Sequence, residues 1–197
     1  MGRRKLIFIT GVIGAGKSTI ARSLPSSYYI PGDHIQGMIA KRAFPFIRES
    51  HIWNWHIMDS HLDGFMHTGT LFHMVVRSAC HDLNSWKGDI VVEASVLWQR
   101  WFRTMLASTI REITGMAEDT SEFYLNYLPD AAIVCEQIKQ RRRNGDERLH
   151  DLNEVKRDLV SAQERAPAPF WEIYHDEKSI RSRLNAILAP QEAPERK

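Results

Sequence analysis

The apolar and polar positions of this chain fall into blocks whose period switches between strand-like and helix-like. Lys5–Thr10 (KLIFIT) is a short, nearly all-apolar run, the pattern of a strand buried on both faces of a parallel sheet. A glycine-rich stretch follows, then a helix over Ser18–Leu24 that Pro25 stops. Ser27–Ile30 (SYYI) reads as a second short strand, broken by Pro31 and Gly32. From about Ile57 to Leu83 apolar residues recur at helical spacing, clearest at Phe72, Val76, Ala79, Cys80 and Leu83, with Gly64 and Gly69 as points of bending.

Asp89–Ala94 (DIVVEA), entered from Gly88, predicts a third strand. Leu97–Ile113 predicts a helix with Leu97, Trp101, Met105 and Ile110 near one face, and Phe123–Leu128 (FYLNYL) a fourth strand. Pro129 and Asp130 open a helix carrying Ile133, Val134 and Ile138. Asp151 with Glu154 makes a helix cap ahead of Val155, Leu159 and Ala162. Phe170–Tyr174 is the last strand, and Ile180, Leu184, Ile187 and Leu188 mark a closing amphipathic helix. Strands alternating with helices give an α/β fold: a five-stranded parallel sheet with helices on both faces. No repeat or long linker divides the chain, so one domain is expected over residues 1–189, with 190–197 as a flexible polar tail.

Composition changes this picture little. The 197 residues are 43% hydrophobic and 25% charged, as in an ordinary soluble domain. A formal charge of +2 is too small to imply nucleic acid or membrane as a partner. Two cysteines, Cys80 and Cys135, make no disulfide framework and are expected as buried thiols. No apolar run reaches the roughly 18 residues of a membrane span. The basic start runs through its apolar stretch into glycines, not into a cleavage site, so a strand and a cytoplasmic location are expected.

Chemistry enters at Gly11-Val12-Ile13-Gly14-Ala15-Gly16-Lys17-Ser18-Thr19, which satisfies G-x-x-x-x-G-K-[ST] at every fixed position. Glycines let the backbone turn tightly and aim successive N–H groups at phosphate oxygens. The helix that follows adds the positive end of its dipole. Lys17 can reach the β- and γ-phosphates, and the Ser18 hydroxyl can ligate Mg²⁺. The strand before and the helix after are the flanks that such a loop requires.

Neither D-x-x-G nor N-K-x-D, the marks of switch GTPases, occurs in the sequence. The third strand ends in the single acid Glu93, whereas motor and AAA-type ATPases end it in Asp-Glu. The chain resembles the small P-loop kinases, a family that includes gluconate kinases, chloramphenicol phosphotransferase and the kinase domain of polynucleotide kinase. That family's plan is a P-loop, an Asp just after the second strand, an acid on the third and an arginine-bearing lid. Here the Asp is Asp33 in Ile30-Pro31-Gly32-Asp33-His34, the acid is Glu93, and the lid runs through Gln140–Arg148 (QRRRNGDER).

The resemblance implies ATP and Mg²⁺, with the γ-phosphate passing to a hydroxyl. In-line transfer needs positioning and charge stabilisation more than covalent chemistry. Asp33 is the candidate base for the acceptor hydroxyl, or a cap on its own helix; the two roles can coexist. Glu93 would hold the Mg²⁺ shell with Ser18, or orient the acceptor. Arg141 and Arg148 are the candidates for charge developing in transfer, and Arg142 for the nucleotide; neighbouring helical arginines point about 100° apart and cannot share one ligand. Trp53 and Trp55, in the aromatic stretch Phe44–His61, are candidates for the acceptor site, or else core of a helical lobe. Histidines at 51, 56, 61, 67, 73 and 81 lack the spacing of a metal pair.

The expected partner is a small hydroxylated molecule. Two other readings stay open: a 5′-hydroxyl nucleic-acid kinase, and a nucleotide-dependent switch without an acceptor.

Overall fold

A computed structural model of the chain describes residues 4–43, 68–143 and 170–189. Five strands, β1 (Lys5–Gly11), β2 (Ser27–Pro31), β3 (Asp89–Glu93), β4 (Ser121–Tyr127) and β5 (Glu172–Tyr174), form one parallel sheet in the order β2-β3-β1-β4-β5. The helices are α1 (Lys17–Arg22), α2 (Gly32–Ala43), α3 (Thr68–Ala79), α4 (Arg100–Thr114), α5 (Ala131–Arg143) and α6 (Glu177–Leu188). A 3-10 turn, Ser95–Trp98, separates β3 from α4.

Alternation along the strands sorts their side chains onto the two faces. Leu6, Phe8, Ile90 and Val92 join Ile35, Ile39, Phe72, Val76, Phe102 and Leu106 in one core, beneath α2, α3 and α4. Ile7, Ile9, Val91 and Leu125 join Ile20, Val134, Ile138, Ile180 and Leu184 in the other, beneath α1, α5 and α6. Each such side chain contributes about 1.5–3 kcal/mol by leaving water. Lys5 ties the last helix to the central strand: its buried ammonium donates to the carbonyls of Ile187 and Ala189, at the negative end of α6. Asp176 closes the other end, its Oδ1 accepting the Ser179 N–H at 2.8 Å.

Several boundaries differ from the sequence reading. Pro31 belongs to β2 instead of breaking it, because β2 is an edge strand and one missing N–H costs nothing on its open side. Helix α1 stops at Arg22, where Ser23 folds back through both its N–H and its hydroxyl onto Ile20 O. The helix expected over Leu97–Ile113 divides at Gln99, which is extended (φ −71°, ψ 117°). Leu97 is buried from the 3-10 turn, and the core stripe of α4 is Phe102, Leu106 and Ile110, with Met105 half-buried beside it. In α5, Val134 and Ile138 face the core one turn apart, which turns Ile133 outward. Strand β5 has three residues, not five; Trp171 before it is buried and Phe170 exposed.

Both cysteines are free, Cys80 buried and Cys135 half-buried. Among the described residues no helix is long and apolar enough to cross a membrane. The helix expected from Asp151, the aromatic stretch around Trp53 and Trp55, and the tail 190–197 lie outside the described residues.

Candidate functional site

In the order β2-β3-β1-β4-β5 the connection from β1 runs to β2 on one side and the connection from β3 runs to β4 on the other, so the strand order reverses between the carboxyl ends of β1 and β3. That is where an open parallel sheet places its crevice. The loop after β1 runs along this edge. Gly16 is left-handed (φ 91°, ψ 8°) and immediately precedes α1, and it offers no side chain to cap that helix. A residue with a β-carbon is strained at that φ, and the first-turn N–H groups of α1 have no acceptor within the helix. The Thr19 and Ile20 N–H groups turn back onto Gly16 O at 3.0 and 3.1 Å, so the donors ahead of them, at Lys17 and Ser18, are the ones that face an anion.

Three strand ends contribute the polar groups. Lys17, only 4% exposed, donates to Val12 O at 2.8 Å and to Ser95 Oγ at 3.0 Å. Its ammonium lies 3.8 Å from Glu93 Oε1. Glu93 ends β3 and is equally buried; its Oε2 accepts from Ser18 Oγ at 2.9 Å and from Tyr29 OH at 3.0 Å. Burial, then the Glu93 charge, pushes the Tyr29 phenol up to about 12, so Tyr29 stays a donor to this carboxylate.

Asp33 comes from the start of α2. Its carboxylate turns away from its own helix and accepts the Ser95 N–H at 2.8 Å and the Ser95 hydroxyl at 3.3 Å. Gly32 permits this approach: a β-carbon there would stand 2.8 Å from Ala94 Cβ and 3.1 Å from Glu93 O. Burial raises the Asp33 carboxyl to about 6, with Lys17 opposing and Glu93 adding to the rise. The result is a carboxylate that is ionised at neutral pH yet a stronger base than an ordinary aspartate.

Lys17, Ser18, Asp33 and Glu93 are thus brought together as expected, on the loop Gly11, Gly14, Ala15 and Gly16, with Thr19 exposed on α1. Arg141 and Arg142 occupy the last turn of α5; their side chains, and Arg148, Trp53 and Trp55, lie outside the described residues. Two members of the site went unread in the sequence. Ser95 joins Asp33 to Lys17, and Tyr29 supports Glu93 from the neighbouring strand. Neither belongs to a motif, and the available signal was their register: Tyr29 lies two residues before Pro31, which pairs with Glu93, and Ser95 two residues after Glu93.

No protein-family model matches the sequence, and neither does any curated protein. Solved structures do match. A protein of Chloroflexus aurantiacus j-10-fl, provisionally described as a kinase, has a TM-score of 0.53 at 15% identity, over 95% of this chain and 100% of that one. For TT1252 from Thermus thermophilus the values are 0.52 and 18%, over 95% and 97%. For the tunicamycin resistance protein of Deinococcus radiodurans they are 0.51 and 12%, over 95% and 99%. At these identities the likeness is one of fold. It runs nearly the whole chain, and the resemblance to small P-loop kinases holds at that level.

Proposed function

We propose that the protein is an ATP-dependent phosphotransferase that moves the γ-phosphate to a hydroxyl of a small molecule. The observation that carries this reading is the meeting of Lys17 and Ser18 with two carboxyls from different strand ends, one of them held by Ser95 and raised to about 6. A site that only binds nucleotide needs the loop, the lysine and an acid near the metal; it has no use for a second carboxyl poised as a base. The fold shared with a protein described as a kinase supports the same class.

In this reading the loop amides and Lys17 hold the phosphates in line. Ser18 Oγ and Glu93, both hard oxygen donors, suit Mg²⁺ and would hold it directly or through water, where it would offset phosphate charge. Asp33 accepts the proton of the acceptor hydroxyl as that oxygen bonds to the γ-phosphorus. The bond from phosphorus to the β,γ-bridging oxygen breaks, giving a phosphate monoester and ADP. Arg141 and Arg148 are proposed for the charge that develops on the phosphoryl oxygens, Arg142 for the nucleotide, and Trp53 and Trp55 for contact with the acceptor.

The test is transfer from labelled ATP-Mg²⁺ to a panel of sugars, sugar acids, nucleosides, hydroxylated antibiotics and 5′-hydroxyl oligonucleotides. A labelled small product supports the proposal. Nucleotide binding with no labelled product, from this panel or from a cell metabolite extract, would replace it with a nucleotide-dependent switch.

A further inference from the structure

Resting on that reading, we infer that Gln36 binds the acceptor, and that the acceptor is an uncharged polyhydroxyl compound and not an acid. Gln36 lies on α2 and is 2% exposed, yet among the described residues neither its Nε2 nor its Oε1 has a hydrogen-bond partner. Buried amides are almost always paired, because leaving one unpaired costs stability that an apolar side chain would not. An orphan of this kind calls for an explanation, and its place on the helix supplies one.

At about 100° per residue, Gln36 projects between Gly32 and Asp33, one turn further along the helix. Gly32 is packed against Ala94 and the Glu93 carbonyl, and Asp33 is bonded to Ser95. Gln36 therefore follows the same 3-10 segment, on the border between the core face of α2 and the face that carries the base. Gly37 comes next on the far side of Asp33, and a β-carbon there would meet nothing within 4 Å among the described residues. The helix thus presents an unpaired amide, a base and open space in one arc.

The chemistry of the amide selects the ligand. Gln36 offers N–H donors and a carbonyl acceptor side by side. Neighbouring hydroxyls match both; a carboxylate or phosphate accepts only, and would leave the carbonyl orphaned. Charge points the same way. Asp33 and Glu93 stand against Lys17, and Lys17 already donates to Val12 O and Ser95 Oγ. Among the described side chains, no other lysine or arginine bonds to Asp33, Glu93 or Ser95. In the proposed site Mg²⁺ and the lid arginines serve the phosphates, so an anionic acceptor brought beside Asp33 meets the repulsion of that carboxylate, which a polyol does not.

The experiment compares the wild type with Gln36→Leu in three measurements: thermal unfolding, nucleotide affinity, and phosphoryl transfer to paired acceptors such as glucitol and gluconate, or ribitol and ribonate. Gln36→Leu is expected to melt at or above the wild-type temperature, since an unpaired amide gives way to an apolar group of similar size. Nucleotide affinity stays within about twofold, while KM for the neutral acceptor rises at least about tenfold and kcat changes less. A lower melting temperature would show the amide to be structural and overturn the assignment, as would an unchanged acceptor KM. Preference of the wild type for the acid of each pair overturns the assignment alone. Failure to label any acceptor overturns the phosphotransfer reading, and this assignment with it.

Discussion

Asp33→Asn separates the stability of the site from its chemistry. The substitution keeps the shape of the side chain and an oxygen to accept the Ser95 N–H, now made at 2.8 Å, and it removes the titration. In the folded protein the carboxyl is raised from 3.8 to about 6, chiefly by burial. The folded state therefore holds the Asp33 proton more tightly than the unfolded chain does, and stability falls as pH rises through the interval between those values. The loss is absent below about pH 4, develops between 4 and 6, and is complete above 6. It amounts to roughly 2–3 kcal/mol at neutral pH. Asparagine avoids it, so the variant should melt roughly 5–10 °C above the wild type at pH 7.5.

The same variant has no base. If Asp33 accepts the acceptor proton, kcat falls roughly 10²–10⁴-fold while ATP affinity stays within about twofold. The assay is a set of melting curves and transfer rates from pH 4 to 8 on wild type and variant. The two melting temperatures should converge below pH 4, and the wild-type rate should show an acid limb near 6 that the residual activity of the variant lacks. An Asp33→Asn protein that is no more stable at pH 7.5 than at pH 4, relative to wild type, would refute the argument that the carboxylate is held at a cost. Full turnover would refute its role as base.

Three further outcomes follow from the same contacts. Lys17→Ala should reduce transfer to background, and it should lower the melting temperature because Glu93 stays buried without the ammonium 3.8 Å away. Ser95→Ala removes a hydrogen bond that holds the Asp33 carboxyl down, so the acid limb of the rate profile should move to higher pH, with about 1 kcal/mol lost from stability in a denaturant titration. Gly32→Ala places a methyl 2.8 Å from Ala94 Cβ; about 1–3 kcal/mol of stability should be lost, and kcat should fall with Asp33 displaced while nucleotide affinity holds. Wild-type turnover in Gly32→Ala would show that Asp33 reaches Ser95 without that close approach.

The fold was legible because its signals are periodic and local. Buried parallel strands must be nearly all apolar, so KLIFIT and DIVVEA announce themselves, and the P-loop is a contiguous string whose every position has its own backbone or side-chain task. Boundaries were less legible where tertiary placement outweighs local pattern. Pro31 ends a strand because β2 is at the edge, and the edge is a property of the whole sheet. The break at Gln99 interrupts a run that reads as one helix, since Leu97 and Phe102 both reach the same core from either side of it.

The site was legible in its loop and its two acids, and not in the groups that join them, for a physical reason. A contiguous loop binds phosphate through amides that any chain places in order, whereas acid–base chemistry needs groups from different strands at one point. Asp33 and Glu93 could be picked out through the resemblance to small P-loop kinases, and Glu93 also because an acid ending a buried apolar strand has few structural uses. Ser95, Tyr29 and Gln36 could not, for serine, tyrosine and glutamine are ordinary in turns, strands and helices. Their meaning lies in what the topology brings to them. Ser95 matters because parallel pairing of β1 with β3 sets it beside Lys17, while Gly32 lets α2 deliver Asp33 to the same residue. Gln36 matters because that delivery leaves it buried with nothing among the described residues to bond. A polar residue that the fold conceals and does not satisfy is the part of a site that only three dimensions reveal.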